Sequence, residues 1–300
     1  MQVKVNKKPK STVELNITVP ASKVKQTYDS VLSEVVVHTT VPGFRKGKAP
    51  KDKVLERTDI SKLYGEVVNA LLKNYYPQAL KENKIEPVSN PQVEIKEFDL
   101  EKDFNFIATV AVKPDVKVGD YKKALKKAYE QLKKQTQEDN KEKLEKGEEL
   151  TTDDKVNLSS AHVIEAILEV SKMELSDMLV EQEAERMLSR LINQAQAVGL
   201  TLERYLEAQG KTEEQLKEDY KKVAENTLQS EFALNQLVKD LGIEIPDQEI
   251  EDMINASGIP DASAKLQSPT EKWYIKSILE KNKLITQLIE EVEGGTKDAK

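Results

Sequence analysis

Hydrophobic residues in the first twenty positions fall at every second place. Val3 and Val5, then Val13, Leu15, Ile17 and Val19, alternate with polar neighbours. That is the period of a half-buried strand. The break at Lys8-Pro9-Lys10 predicts a turn between two strands. After Pro20 the spacing lengthens. Val24, Tyr28, Val31, Leu32 and Val35 predict an amphipathic helix, with Ser22 as its N-cap and an end before Pro42-Gly43. A second helix is expected from about Ile60 to Asn83, with Leu63, Val67, Ala70, Leu71 and Tyr75 on one face. Pro77 should kink or split it. Alternation returns at Val93 and Ile95 and again at Phe104, Phe106, Ala108, Val110 and Val112. Residues 1–113 therefore read as an α+β domain, a small antiparallel sheet with helices packed over it.

From Pro114 the apolar positions thin out. The stretch to residue 160 is dense in Lys, Glu and Gln, with Leu125, Ala128 and Leu132 as sparse anchors. It predicts a charged helical linker interrupted near Gly147. Residues 161–293 predict an all-α domain of long helices, followed by a tail at 294–300. Met178, Leu179, Ala184, Met187, Leu188, Leu191, Ile192, Ala195 and Val198 form one stripe that stops at Gly199, a suitable helix C-terminus. Thr212-Glu213-Glu214-Gln215 has capping-box form. Ser268-Pro269-Thr270-Glu271 combines a cap, a proline at the first helical position and a glutamate two residues later.

Composition narrows the chemistry. The 300 residues contain no cysteine, which excludes disulfides and thiolate sites, and the two histidines, His38 and His162, lie far apart in sequence. No metal site, cofactor or catalytic triad is expected. His162 with Glu165 is too sparse for a metal centre. The start, MQVKVNKKPK, has no apolar signal segment, and no run of about eighteen apolar residues occurs, so the expected setting is cytoplasmic with no membrane partner. The net charge of −7 is unevenly spread, +4 over residues 1–112 and −11 over the rest. A basic front end suits a polyanionic partner.

The segment from Val41 to Pro50, VPGFRKGKAP, concentrates the candidate chemistry. Gly43 and Gly47 allow tight bends, while Pro42 and Pro50 stiffen both ends. A protruding, pre-shaped tip is expected, carrying Phe44 beside Arg45 and Lys46. The cations can pair with phosphates or carboxylates, and the ring can fill a pocket or stack on a base. An ordinary solvated turn is the plain alternative. The spacing lacks the form of a nucleotide-binding P-loop.

Gly43, Phe44, Arg45, Gly47, Lys48 and Pro50 match the pattern G-F-R-x-G-K-x-P, which resembles the ribosome-binding signature of trigger factors. The likeness extends over most of residues 1–115. It resumes at Met173-Glu174-Leu175-Ser176-Asp177, similar to the start of that family's helical C-terminal domain. The resemblance implies a ribosome-associated chaperone for nascent polypeptides. Its ribosome-binding residues would be Gly43, Phe44, Arg45, Lys46, Gly47, Lys48 and Pro50. Implied partners are a large-subunit protein at the tunnel exit, adjacent ribosomal RNA, unfolded nascent chains and, off the ribosome, a second copy of the chain.

Trigger factors usually carry an FKBP-like prolyl isomerase domain between these parts. The interval from Pro114 to Ser160 holds two aromatics, Tyr121 and Tyr129, and no alternating strands, so no enzymatic activity is expected. Met178, Met187, Met253, Trp273 and Tyr274 are candidates for client contact, with burial in the core as the competing reading. Two other functions stand beside the chaperone: an RNA-binding or ribosome-assembly factor using the same loop, and a residual prolyl isomerase.

Overall fold

The structure is a computed structural model. It describes residues 1–146, 157–256 and 268–294, apart from a few side chains that include Met253. Gly147 and the tail beyond Gly294 lie outside the described residues. The chain divides into two compact units, one of Met1–Lys113 with Leu175–Arg186, the other of Pro114–Glu174 with Met187–Lys300.

In the first unit, strands β1 (Gln2–Lys8), β2 (Thr12–Val19), β3 (Gln92–Glu97) and β4 (Phe104–Ala111) form an antiparallel sheet in the order β1-β2-β4-β3. The β1–β2 hairpin turns through Lys10 and Ser11, both at positive φ. Strict alternation puts Val13, Leu15, Ile17 and Val19 of β2 on the covered face, beside Phe104, Phe106, Ala108 and Val110 of β4. Helices α1 (Ala21–His38) and α3 (Ile60–Glu82) close that face with Val24, Val31, Leu32, Leu63, Val67, Leu71 and Ala79. Tyr28, Tyr64, Phe98, Phe104 and Phe106 follow one another in ring contacts of 5.4–6.4 Å.

Two local expectations change. Ser22 lies inside α1, whose N-cap is Pro20 and has no side-chain cap; the Asp103 carboxylate instead accepts from the Ala21 N–H at 2.9 Å. Pro77 does not split α3. The carbonyl it leaves without a donor belongs to Lys73, an exposed position where water can satisfy it, while buried Leu71 and Ala79 hold the helix on either side.

The other face of the sheet is polar. The Glu14 carboxylate accepts from the amides of Asn6 and Asn16, each at 3.0 Å, and pairs with Lys8 at 3.0 Å. These partners, Asn6 first, hold its pKa down at about 2. At one end of the sheet the segment Leu175–Arg186 joins this unit. Lys10 Nζ reaches both Asp177 carboxylate oxygens at 2.8 and 2.9 Å, Thr12 Oγ1 lies 2.9 Å from Ser176 Oγ, and Asn90 and Gln182 exchange two amide hydrogen bonds of 3.0 Å.

Among its described residues the second unit is helical apart from a two-residue ladder of β5 (Lys117–Val118) with β6 (Ser171–Lys172). Helices α4 (Tyr121–Glu145), α5 (Ser160–Glu169), α8 (Glu213–Asp240) and α10 (Pro269–Gly294) enclose a core of Leu125, Val163, Ile167, Leu234, Leu237, Leu284 and Leu288. Helices α6 (Asp177–Ala197), whose first part belongs to the first unit, α7 (Leu202–Gln209) and α9 (Asp247–Ala256) are the other helices described after β6. The capping signals act as read: Thr212 and Gln215 form a reciprocal box at α8, and the Ser268 hydroxyl accepts from the Glu271 N–H at 3.4 Å at the start of α10. Among the described residues no helix is long and apolar enough to cross a membrane, and no group of three metal-ligating side chains occurs.

Candidate functional site

The loop between α1 and α2 (Lys51–Leu55) is built from two consecutive tight turns. In the first, the Phe44 N–H donates to the Val41 carbonyl at 3.0 Å, with Pro42 second and Gly43 third at φ +85°. In the second, the Lys48 N–H donates to the Arg45 carbonyl at 2.9 Å, with Gly47 third at φ +77°. A positive φ at the third position is the type II arrangement, which favours glycine there and proline before it. Pro50 then serves as N-cap of α2, its carbonyl accepting from the N–H groups of Lys53 and Val54.

The base of the loop is apolar and closed. Val41, Ala49 and Val54 are buried together, with Val35 and Val36 of α1 packed against them. Burial at both ends and two internal hydrogen bonds restrict the intervening residues to a narrow set of conformations. At the tip the side chains turn outward: Phe44 is 43% exposed, and Arg45, Lys46 and Lys48 are exposed as well. The result is an aromatic ring flanked by cations on a stiff support. Such a tip loses little conformational freedom on docking, which favours affinity. It offers charge for phosphate or carboxylate and a ring for a pocket.

The other candidates are divided between the two units. Met178 belongs to the segment that packs with the first unit, and it is half-buried. Met187, in the second unit, is also half-buried. Met253 lies on α9, but its side chain is outside the described residues. Trp273 and Tyr274 are 69% and 61% exposed near the start of α10, so neither is a core anchor. That helix is buried through Leu279, packed with Ile245 and Ile250, and through Leu284, Ile285, Leu288 and Val292 further along. The stripe on α6 is also incompletely covered, ending in Val198 at 80% exposure. Val198 precedes Gly199, whose N–H donates to Gln196 while Leu200 donates back to Ala195. It therefore sits at a helix end, where i, i+3, i+4 spacing no longer guarantees a neighbour. Sequence pattern also missed Val223 and Ile278 as exposed apolar positions.

The comparisons with known proteins agree with this architecture. The family model described as bacterial trigger factor protein matches residues 1–147, and that of the bacterial trigger factor C-terminus matches residues 120–292. The trigger factor of Staphylococcus epidermidis strain ATCC 35984 is 44% identical over 108 residues, which is 36% of this chain and 25% of that protein. The trigger factor of Staphylococcus carnosus strain TM300 is 43% identical over 108 residues, 36% of this chain and 24% of that protein. The match thus spans about a quarter of those relatives' length. A solved structure described as "Promiscuous Substrate Recognition in Folding and Assembly Activities of the Trigger Factor Chaperone" aligns over 97% of this chain and 100% of that one. Its TM-score is 0.64 at 17% identity, a likeness of fold. With one family model on the sheet-and-helix unit and another on the helical region, the chain belongs to the trigger factor family.

Proposed function

We propose that this chain is a chaperone that docks on the large ribosomal subunit through the Gly43–Pro50 loop and shields emerging polypeptides in the cytoplasm. The observation that carries this reading is the exposed Phe44-Arg45-Lys46 tip on its buried Val41-Ala49-Val54 base. The loop is stiff enough to be a specific plug, and its charge suits a protein surface at the tunnel exit with ribosomal RNA beside it. Shielding needs exposed, adaptable apolar surface rather than reacting groups. Trp273, Tyr274, Ile278 and Val198 offer such surface. The proposal contains no catalytic step, because the elements described in the interval where trigger factors usually carry an isomerase domain are the helix α4 and the two-residue strand β5.

Ribosome co-sedimentation of the wild type and of the Phe44→Ala/Arg45→Ala/Lys46→Ala variant tests it. The variant should no longer pellet with ribosomes, yet should still suppress aggregation of a denatured client. Affinity should fall steeply with salt if the cations carry the contact. Equal pelleting of both proteins removes the docking assignment. A prolyl-peptide isomerisation assay should stay at background, and acceleration by the chain would restore an enzymatic reading.

A further inference from the structure

The strongest charge feature outside the loop is the first half of α4. Residues 121–134 contain six lysines and one carboxylate, Glu130. The helices α5 to α10 each carry a net negative charge, whereas α4 is net positive. Two of its lysines have local partners: Lys122 reaches Glu291 at 2.6 Å and Lys127 reaches Glu169 at 2.8 Å. Lys123, Lys126, Lys133 and Lys134 are exposed, and among the described residues no carboxylate lies within ion-pair distance of them. Lys133 also lies 5.3 Å from the centroid of the Tyr129 ring.

Solubility alone does not account for this placement. The N-terminus of a helix carries partial positive charge, so lysines there oppose helix formation and carboxylates favour it. The first turn of α4 has no acidic residue, and the Asp120 carboxylate, accepting from the Lys123 N–H at 3.0 Å, offsets the repulsion only in part. The first-turn lysines Lys122 and Lys123 thus work against the helix, and the run of lysines continues to Lys134 while helices α5 to α10 are acidic, which marks a surface kept for something outside the chain.

We infer that the lysine face of α4 is a second contact surface whose partner is the phosphate backbone of RNA. From Lys123 to Lys134 the face runs about 16 Å along the helix. That is enough for several successive phosphates, which flexible ammonium groups meet as point charges. Gln131, Gln135 and Gln137 are exposed on the same helix and can donate to phosphate or sugar oxygens. A membrane surface fits less well. Interfacial helices bury large apolar residues, and here Ala124 and Leu125 are turned into the protein core. The choice of RNA over other polyanions rests on the ribosome reading above.

The test uses the full chain and a fluorescein-labelled single-stranded RNA of about twenty nucleotides, followed by polarisation across a salt series. Lys123→Gln/Lys126→Gln/Lys133→Gln/Lys134→Gln should bind at least tenfold more weakly than wild type. The slope of log affinity against log salt should fall by about 2 to 3, since each phosphate contact to a single strand contributes about 0.7. A lesser variant, Lys133→Gln/Lys134→Gln, lies away from the helix start and should show about half the slope change, which keeps the test informative if the fourfold variant fails to fold. The Phe44→Ala/Arg45→Ala/Lys46→Ala chain should lose a slope of at most about 1.4. RNA binding equal to wild type in both folded glutamine variants overturns the inference, as does binding to phosphatidylglycerol vesicles in preference to RNA. Unchanged ribosome pelleting of the loop variant would remove the docking reading instead, so the two failures are separable.

Discussion

The α-carbon of Gly47 faces the carbonyl oxygen of Val37, and a β-carbon placed there would lie 3.3 Å from that oxygen. Gly47 also sits at φ +77°. Both facts limit this position to glycine: the backbone term alone costs an L-residue about 1–2 kcal/mol, and the contact adds to it. Gly43 shares the positive φ but has open space around it. Gly47→Val should therefore reshape the loop and weaken ribosome pelleting more than tenfold, whereas Gly43→Ala should weaken it several-fold. Thermal unfolding should move by only a few degrees in either case, because the base of Val41, Ala49 and Val54 is untouched. Equal effects of the two substitutions would argue against the Val37 contact.

Glu14 gives a pH prediction. Its folded pKa of about 2 lies below the unfolded value, which is about 4.3. A depressed carboxylate contributes stability above the unfolded pKa and loses it as pH falls through the folded one. The contribution is thus present at neutral pH and declines progressively between about 4.3 and 2. Carboxyl chemical shifts followed by NMR should show Glu14 titrating well below the ordinary glutamate range. Asn6→Ala, which removes the largest cause, should raise its midpoint. A midpoint near the ordinary glutamate value would contradict the Asn6, Lys8 and Asn16 geometry.

The sheet, its covered face and the loop were legible because each rests on short-range signals. Alternation set the strands, and glycine with proline set the two turns. What the pattern missed depends on contacts distant in sequence. Lys117-Val118 pairing with Ser171-Lys172 is too short to carry a period. The joining of Leu175–Arg186 to the first unit involves polar contacts of Thr12, Lys10 and Asn90 with Ser176, Asp177 and Gln182, which no periodicity encodes. Trp273 and Tyr274 were ambiguous for a different reason. They precede Leu284 and Ile285 by eleven residues, about three turns, and so share their face, but that face is buried only from Leu284 onward, while Leu279 packs on another side of the helix with Ile245 and Ile250.

The Thr12–Ser176 contact predicts an asymmetry. Ser176 is only 2% exposed, whereas Thr12 is half-buried and lies 3.1 Å from the Lys10 carbonyl as well. Thr12→Val leaves a buried hydroxyl without its side-chain partner and should cost about 1–2 kcal/mol. Ser176→Ala leaves Thr12 able to use Lys10 or water and should cost less. The neighbouring Lys10–Asp177 pair is solvent-exposed and should show a coupling below about 1 kcal/mol in a double-mutant cycle. Urea unfolding of the single and paired variants measures all three. A costlier Ser176→Ala than Thr12→Val would invert the argument.

Trp273 is the one tryptophan in the chain, and its exposure makes it both a candidate contact and its own reporter. An indole in water that becomes covered by an apolar client segment should shift its emission to shorter wavelength. Titration with an unfolded polypeptide should therefore blue-shift the spectrum, while a folded control protein should not. Trp273→Ser/Tyr274→Ser should leave stability within about 0.5 kcal/mol of wild type, as expected for exposed positions, and should reduce aggregation suppression several-fold. Leu279→Ala on the same helix should do the reverse at first order. It empties a site packed against Ile245 and Ile250 and should cost about 2–4 kcal/mol, with the exposed aromatic pair intact. Trp273 emission that ignores client, together with full suppression by the double serine variant, would place client contact elsewhere on the chain.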